Sequence, residues 1–231
     1  MKVGIISDVH GNHMALAVVL TEFRRQRITD VLFLGDMVGY YPFVKECIAL
    51  LSDFQVISVR GNHDQVGLEC LTSGMRTDEA YRRACGSSLD RALDKLDTPT
   101  EAFLRAMPLQ QQLNLAGRTA LLCHGSPWDA LEGRVYPDFQ GWNRFTSLGV
   151  DTVLLGHTHY PVRQECGSVL VLNPGSVGQP RQRSGVACAA VLELPALSVS
   201  LLQLSYDPAC LIDDARKHDL GLPYLVDVLR R

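Results

Sequence analysis

Apolar, β-branched runs alternate with amphipathic stretches over the first sixty residues of the chain. Residues 3–7, 31–34 and 55–59 have the composition and length of buried strands. Between them, residues 13–27 and 43–51 carry apolar side chains at the spacing of one helix face. The order strand, helix, strand, helix, strand predicts an α/β unit at the start of the chain.

The pattern becomes mainly helical between about residues 65 and 107, which predicts a helical excursion from the sheet. Two interpretations of this excursion remain open, a cap over the functional site and a solvated helical layer. Strand patterns then return, and a helical tail is predicted from about residue 207. The further strands are predicted at 111–115, 119–123, 152–155, 168–172, 186–194 and 198–204. This order predicts two sheets packed together and flanked by helices, in a single domain over residues 1–231.

Composition and charge narrow the class of protein. With 46% hydrophobic and 20% charged residues, the 231-residue chain can form a sizeable packed core. The formal net charge of −3 gives no general affinity for nucleic acid or for an anionic membrane. Seven cysteines without a Cys-x-x-Cys pair are typical of a reduced protein, and no apolar run reaches the roughly 18 residues of a membrane helix. We therefore expect a soluble cytoplasmic protein, and the sequence leaves a homo-oligomer open.

Histidines and carboxylates follow the predicted strands at five places. At GHTH, residues 156–159, two histidines would face the same side if the chain stayed extended there. The motifs DVH at 8–10, GD at 35–36, GNHD at 61–64 and CHG at 123–125 each follow another short apolar run. Five strand ends can therefore bring polar groups to one place. The candidate metal ligands are Asp8, His10, Asp36, Asn62, His124, His157 and His159.

This candidate ligand set contains two carboxylates, four imidazoles and one amide. Mg²⁺ and Ca²⁺ prefer oxygen ligands throughout, so a mixed nitrogen and oxygen set favours manganese, iron, cobalt, nickel or zinc. Seven ligands are too many for one ion and enough for two, provided that one carboxylate bridges them. The positive charge of two divalent cations exceeds the negative charge of two carboxylates and a bridging hydroxide. The site is therefore net positive and attracts a phosphate group.

Taken in order, these motifs resemble those of the calcineurin-like metallophosphoesterase superfamily. SDVHGN, GDMVGY, VRGNHD and NPGSVGQPR are similar to the small bacterial branch with YfcE-like phosphodiesterases and diadenosine-tetraphosphatase-like proteins. The resemblance covers about residues 1–200. It implies an α/β (α+β) fold of the metallo-dependent phosphatase type, a four-layer αββα sandwich of two mixed β-sheets flanked by helices.

The resemblance also implies a role for each motif residue. Asp36 would bridge two divalent ions, and a hydroxide between the ions would attack phosphorus without a covalent enzyme intermediate. His63 would assist the leaving oxygen, with Asp64 orienting it. The first ion would be held by Asp8, His10 and His159, and the second by Asn62, His124 and His157.

Substrate contacts are less specific in the sequence. The substrate class is a small phosphorylated molecule, which includes nucleotides, and a phosphodiester, a cyclic nucleotide, a phosphomonoester and a dinucleoside polyphosphate all remain open. Among these, His63 keeps phosphomonoester and nucleotide-anhydride cleavage open. Asn12 either binds the phosphate or caps the first helix. Arg181 either holds a distal phosphate or is an ordinary exposed arginine. The aromatic residues between 128 and 142 either stack on a base or pack at the core edge.

Three other functions compete with a small-molecule phosphoesterase. A nuclease of the same superfamily would need a basic track, which the acidic balance does not favour. A non-catalytic binding scaffold is the alternative from another class, although the candidate ligands and His63 are all present. A protein phosphatase also remains open.

Overall fold

Ten strands and eight α-helices lie along residues 1–230, which this computed structural model describes. The strands are β1 (Lys2–Ile6), β2 (Asp30–Phe33), β3 (Gln55–Ser58), β4 (Gln110–Leu115), β5 (Arg118–Cys123), β6 (Thr152–Leu154), β7 (Pro161–Cys166), β8 (Val169–Pro174), β9 (Val186–Glu193) and β10 (Ser198–Ser205). The helices are α1 (His13–Arg25), α2 (Val44–Leu51), α3 (Asn62–Ser73), α4 (Glu79–Cys85), α5 (Ser88–Leu93), α6 (Thr98–Ala106), α7 (Ala209–His218) and α8 (Tyr224–Asp227). A 3₁₀ helix covers Trp142–Ser147.

The strands form two five-stranded sheets, each with parallel and antiparallel neighbours. The first sheet has the order β10-β9-β1-β2-β3, in which β1, β2 and β3 are parallel and β9 is antiparallel to β1. The second has the order β4-β5-β6-β8-β7, in which β5, β6 and β8 are parallel. The predicted fold class, two mixed sheets flanked by helices, is confirmed.

Successive residues of β1 contribute to two different cores. Ile5 belongs to an apolar cluster that includes Leu122 and Leu172 of the second sheet. Ile6 belongs to the cluster under α1, which includes Val19 and Phe23. Since side chains alternate between the faces of a strand, β1 is buried on both faces, between the other sheet and the helices. A third cluster lies on the far face of the second sheet, under the 3₁₀ helix.

Helix α3 and strand β7 differ from the sequence prediction. Helix α3 begins at Asn62 rather than near residue 65, so part of the GNHD motif belongs to a helix. Strand β7 was not predicted because its sequence, PVRQEC, lacks a clear alternation. The strand lies at the edge of its sheet, and four of its six residues are only partly buried or exposed. Edge strands bury less apolar surface, and their periodicity is weaker for that reason.

The helical excursion and the C-terminal tail pack against each other. Arg91 of α5 forms an ion pair with Asp214 of α7 at 2.8 Å. Apolar residues of the two C-terminal helices share a buried cluster with Tyr40 and Tyr41, which follow β2. The seven cysteines are free thiols, and Cys210 alone among them is exposed. Within residues 1–230, no helix is both long and apolar enough to cross a membrane.

Candidate metal centre

The candidate ligands meet because the strands before them run in the same direction. Strands β1, β2 and β3 are parallel in the first sheet, as are β5 and β6 in the second, so their carboxyl ends reach common edges. The segments that leave these ends bring together the seven predicted positions. They are Asp8, His10, Asp36, Asn62, His124, His157 and His159, and their side chains are buried or partly buried.

The chain does not stay extended at the GHTH motif, so the condition under which a pleated strand would turn both histidines to one side is not met. His157 and His159 have φ of 64° and 62°, in the left-handed region. Three further candidate ligands, Asp8, His10 and Asp36, have φ of 55°, 51° and 62°. Such a conformation costs a residue with a Cβ roughly 1–2 kcal/mol. Both histidines still face the centre, because two successive sharp bends, rather than a pleat, orient them.

Glycines let the backbone approach the carboxylates closely. A Cβ on Gly61 would overlap the Asp36 side chain, with its Cγ only 2.7 Å away. A Cβ on Gly156 would lie 3.1 Å from Oδ2 of Asp8 and 3.2 Å from Nδ1 of His124. The turns before α3 and after β6 are therefore packed directly against the polar centre.

One group of donor atoms surrounds Asp8. Nε2 of His159 lies 3.3 Å from Oδ1 of Asp8, and Nε2 of His10 lies 3.9 Å from the same oxygen. The two imidazole nitrogens are 3.1 Å apart. The three residues therefore offer three ligand atoms to one point, which agrees with the first predicted set.

A second group surrounds the Asn62 amide. Its Oδ1 lies 3.1 Å from Nε2 of His124 and 3.1 Å from Nδ1 of His157. Asp36 stands between the two groups, with Oδ2 3.3 Å from Nε2 of His124 and 3.8 Å from Nε2 of His10. This intermediate position of the carboxylate is the one that the sequence predicts for a bridging residue.

Backbone carbonyls fix three of the four imidazole rings. Nδ1 of His10 donates to the carbonyl of Val38 at 2.9 Å, and Nδ1 of His124 donates to that of Leu34 at 2.7 Å. Nδ1 of His159 donates to the carbonyl of Gln179 at 2.7 Å. Because a carbonyl only accepts, the proton of each neutral ring is at Nδ1, and Nε2 presents its lone pair to the centre.

Asp8 and Asp36 place two negative charges in the interior, and the neighbouring imidazoles compensate them only in part. Both side chains are almost completely buried, and no group in residues 1–230 donates a hydrogen bond to either oxygen of Asp8. Burial raises the pKa of Asp8, but His159 and His124 lower it to about 2, so the group is ionised. A buried charge of this kind needs a partner. A divalent cation, which these residues fit by donor type and position, is such a partner.

The imidazoles respond to this charge in two ways. Burial alone would lower the pKa of His124, but the nearby carboxylates of Asp36 and Asp8 raise it to about 10. A site that attracts a proton so strongly also attracts a metal ion, which would replace that proton. Burial lowers the pKa of His157 to about 4, so this ring is neutral near pH 7.

The two residues that follow Asn62 have different surroundings. The backbone N–H of His63 donates to Oδ1 of Asp36 at 2.9 Å, and its ring lines the cavity of the site. A ring nitrogen of His63, a ring nitrogen of His10 and a carboxylate oxygen of Asp36 lie within 4.8 Å of one another, so His63 could also bind a metal ion. The prediction that His63 is not a ligand therefore rests on the family resemblance.

Asp64 does not contact the His63 ring as predicted. Its carboxylate accepts hydrogen bonds from the backbone N–H groups of Asp36 and Met37 at 2.8 Å and from that of Gly61 at 3.0 Å. Burial, followed by the charge of Asp36, raises the pKa of Asp64 to about 7. Asp64 therefore fixes the backbone that carries Asp36. The His63 ring is instead contacted by Tyr81, whose hydroxyl oxygen lies 2.6 Å from Nδ1.

A cavity of about 200 Å³ opens above the candidate ligands. Arg181 lines it, as its predicted contact with substrate requires. Tyr136, one of the aromatic residues considered for stacking on a base, also lines it, as does Arg134, which the sequence did not indicate as a site residue. Nε of Arg134 donates to Nε2 of His157 at 3.2 Å. No motif marks Arg134, and only the cluster of aromatic residues around it indicated this segment.

Asn12 is a helix cap and not a substrate contact. Its Oδ1 accepts from the N–H of Ala15, and its Nδ2 donates to the carbonyl of Gly178 and to the Tyr206 hydroxyl. The side chain is fully buried, so every polar atom that was predicted to reach a phosphate already has a partner in the protein. The aromatic residue Trp128 likewise packs on Phe145 and under Arg144, at the core edge.

Comparison with known proteins agrees with this geometry. A family model for the calcineurin-like phosphoesterase superfamily domain matches residues 1–196. Phosphodiesterase YfcE of Escherichia coli strain K12 is 29% identical over 203 residues, covering 87% of this chain and 92% of that protein. The uncharacterized protein MJ0912 of Methanocaldococcus jannaschii is 28% identical over 225 residues, covering 89% and 88%. The crystal structure of a metallophosphoesterase from Sphaerobacter thermophilus superposes with a TM-score of 0.79 at 28% identity, covering 99% and 98%.

Proposed function

Because this chain belongs to the calcineurin-like phosphoesterase superfamily and is a metal-dependent hydrolase, we propose that it cleaves small phosphodiesters at a centre of two divalent metal ions. The observation that carries the proposal is the position of Asp36, whose carboxylate lies near His10 of one group of donors and His124 of the other. One group is Asp8, His10 and His159, and the other is Asn62, His124 and His157.

The chemistry of the donors supports the choice of metals. Manganese, iron, cobalt, nickel and zinc all accept mixed imidazole and carboxylate ligands. When bound, two such ions supply Lewis acidity toward the phosphoryl oxygens and lower the pKa of water. The residues around them hold the arrangement, since three rings are fixed by backbone carbonyls and Asp64 fixes the turn that carries Asp36.

The remaining residues of the cavity act on the substrate. Arg134 and Arg181 give the opening positive charge, which attracts an anionic ester and holds its phosphoryl oxygens. His63 faces the cavity beside Asp36, where it donates a proton or a hydrogen bond to the leaving oxygen. A cavity of about 200 Å³ has room for a phosphoryl group and the part of the ester next to it.

The preference for diesters rests on the relatives. Phosphodiesterase YfcE is matched over most of both chains, and its name gives the class of ester that we propose for this chain. A phosphomonoester, a cyclic nucleotide and a dinucleoside polyphosphate remain the alternative substrates. A reducing, cytoplasmic location is part of the same proposal, and the seven free thiols support it.

The proposal is tested by stripping the protein of metal and adding back Mn²⁺, Fe²⁺, Co²⁺, Ni²⁺ or Zn²⁺ singly. Each form is assayed with an aryl phosphodiester, an aryl phosphomonoester, a 2′,3′-cyclic nucleotide and diadenosine tetraphosphate. We expect turnover only with added metal and fastest on the diester, with two ions bound per chain. Binding of one ion at full activity would contradict the dinuclear centre, and inactivity of the folded, metal-loaded protein would favour a scaffold or a macromolecular substrate.

A further inference from the structure

Tyr81, in the middle of α4, contacts the ring that faces the cavity. Its hydroxyl oxygen lies 2.6 Å from Nδ1 of His63, and the two rings meet edge to face with centroids 5.4 Å apart. Helix α4 belongs to the excursion between β3 and β4, 18 residues beyond His63 in the chain. The excursion therefore supplies a polar contact to the centre, in addition to its apolar packing.

The direction of this hydrogen bond follows from the partners of the hydroxyl. Within residues 1–230, the Tyr81 oxygen has no hydrogen-bond partner other than Nδ1 of His63. If the hydroxyl accepted from Nδ1, its own hydrogen would have no acceptor within residues 1–230 in this partly buried contact, whereas a hydroxyl that donates to Nδ1 satisfies both groups. Burial also raises the pKa of Tyr81 well above its usual value, so the phenol keeps its hydrogen. The hydroxyl therefore donates, and Nδ1 accepts.

We propose that Tyr81 is a positioning residue, which holds His63 in the tautomer with its proton on Nε2 and keeps that N–H directed at the substrate. A neutral imidazole carries one proton, so acceptance at Nδ1 requires the proton to be at Nε2. Nε2 of His63 forms no hydrogen bond within the described part of the chain, and the ring lines the cavity. The role as a donor to the leaving oxygen rests on the proposed function, whereas the tautomer does not.

The protein holds Tyr81 in place from both ends of α4. At the start of the helix, Oδ1 of Asp78 caps the backbone N–H of Tyr81 at 2.7 Å. At its end, the Tyr224 hydroxyl donates to the carbonyl of Ala84. The Tyr81 ring packs against the main core under α1 and against the cluster of the C-terminal helices. A phenol fixed in this way gives His63 one ring orientation.

The first test compares Tyr81→Phe with the matched control Tyr206→Phe. Both changes remove one hydroxyl from a partly buried tyrosine, but the Tyr206 hydroxyl contacts Asn12, and only the first change removes a contact to His63. We expect Tyr81→Phe to lower kcat by roughly tenfold on aryl phosphodiesters with poor leaving groups, with an unchanged KM and metal content. With highly acidic phenols as leaving groups, whose departing oxygen needs little stabilisation by a hydrogen bond from Nε2–H, the loss should be about twofold or less. The control should behave as the wild-type protein.

A double variant separates positioning from a structural effect. If Tyr81 acts through His63, adding Tyr81→Phe to His63→Ala should cause no further loss of kcat, because the shared interaction is already gone. An additive loss, or an equal loss on all leaving groups in Tyr81→Phe, would overturn the proposal.

The tautomer itself can be measured without turnover. In Zn²⁺-loaded, ¹⁵N-histidine-labelled protein, two-bond ¹H–¹⁵N spectra distinguish a protonated from an unprotonated ring nitrogen. We expect His63 of the wild-type protein to carry its proton on Nε2 and Tyr81→Phe to give a mixture of tautomers. Protonation at Nδ1 in the wild-type protein, or an unchanged tautomer in the variant, would overturn the proposal. Inactivity of the wild-type protein with the expected tautomer would count only against the proposed function.

Discussion

At the scale of single residues, Asp36 contacts both groups of candidate ligands. Its carboxylate lies near His10 and His124, it accepts the N–H of His63, and its own backbone is held by Asp64. Loss of its charge should therefore affect both groups of donors at once.

We predict that Asp36→Asn lowers metal content and activity together. An amide keeps the shape of the side chain but cannot supply a bridging negative charge to two cations. We expect loss of at least one bound ion per chain and a fall in kcat/KM of about a hundredfold or more. Metal analysis and kinetics measure both, with the exposed Asp213→Asn as the matched control. Two retained ions at full turnover would exclude the bridging role.

The complementary prediction concerns His63. We expect His63→Ala to keep two metal ions and to lose roughly a hundredfold in kcat, because the variant removes a proton donor and no ligand. Elemental analysis of the purified variant is the decisive measurement. Loss of an ion would assign His63 to the metal ligands, among which its distance to Asp36 would also allow it. The exposed His218→Ala is the control for removal of a histidine.

The sequence predicted the motif residues better than their neighbours. All seven candidate ligands lie together because strand ends and short motifs mark them locally. Tyr81 and Arg134 reach the site from a helix and a loop that no motif marks, and only the folded chain brings them there. The predicted role of Asp64 was wrong because an acid beside a histidine in sequence faces elsewhere on a helix.

At the scale of elements, the ends of strands were more predictable than the segments after them. The apolar runs indicated β1, β2 and β3 to within a residue or two, because buried parallel strands have continuous apolar sequences. The conformation at His157 and His159 could not be read from period-2 spacing, since the left-handed bends are imposed by packing. For the excursion, neither open interpretation was complete, as its helices are partly solvated and also contact the site through Tyr81.

Helix α8 provides a test of how the C-terminal tail supports the cavity. Leu225 is fully buried in the cluster that contains Tyr40, a residue lining the cavity. We expect Leu225→Ala to cost about 2–4 kcal/mol of unfolding free energy and to raise KM, because the void loosens Tyr40. Denaturant unfolding and kinetics measure the two effects. Leu220→Ala, at a side chain that is 82% exposed, should change neither. An unchanged KM in a clearly destabilised Leu225→Ala would disconnect the tail from the site.

At the scale of the whole molecule, the centre joins the two sheets. Asp8, Asp36 and Asn62 come from the first sheet, and His124, His157 and His159 come from the second. A cation bound by both groups would therefore link the sheets directly. Its removal leaves buried carboxylates at the interface between them.

We predict that metal removal lowers the thermal stability of the entire fold. A ligand that binds only the native state adds about 2.7 kcal/mol at a hundredfold excess over its Kd, which corresponds to roughly 5–10 °C for a chain of this size. Differential scanning calorimetry of metal-free and Mn²⁺-loaded protein measures the shift. In Asp36→Asn the shift should be much smaller. An identical melting temperature with and without metal would mean that the centre does not bind across the sheets.

Five candidate ligands have a backbone in the left-handed region, so selection for activity and selection for stability favour different residues at these positions. Glycine or asparagine would adopt these backbone angles with less conformational strain than the residues present, which are Asp8, His10, Asp36, His157 and His159. In a library screened for folding alone, these positions should drift toward such residues. The same drift would abolish a metal centre, so only continued use of the site preserves the aspartates and histidines. A descendant of this chain that lost its activity should therefore record the loss first at these five positions.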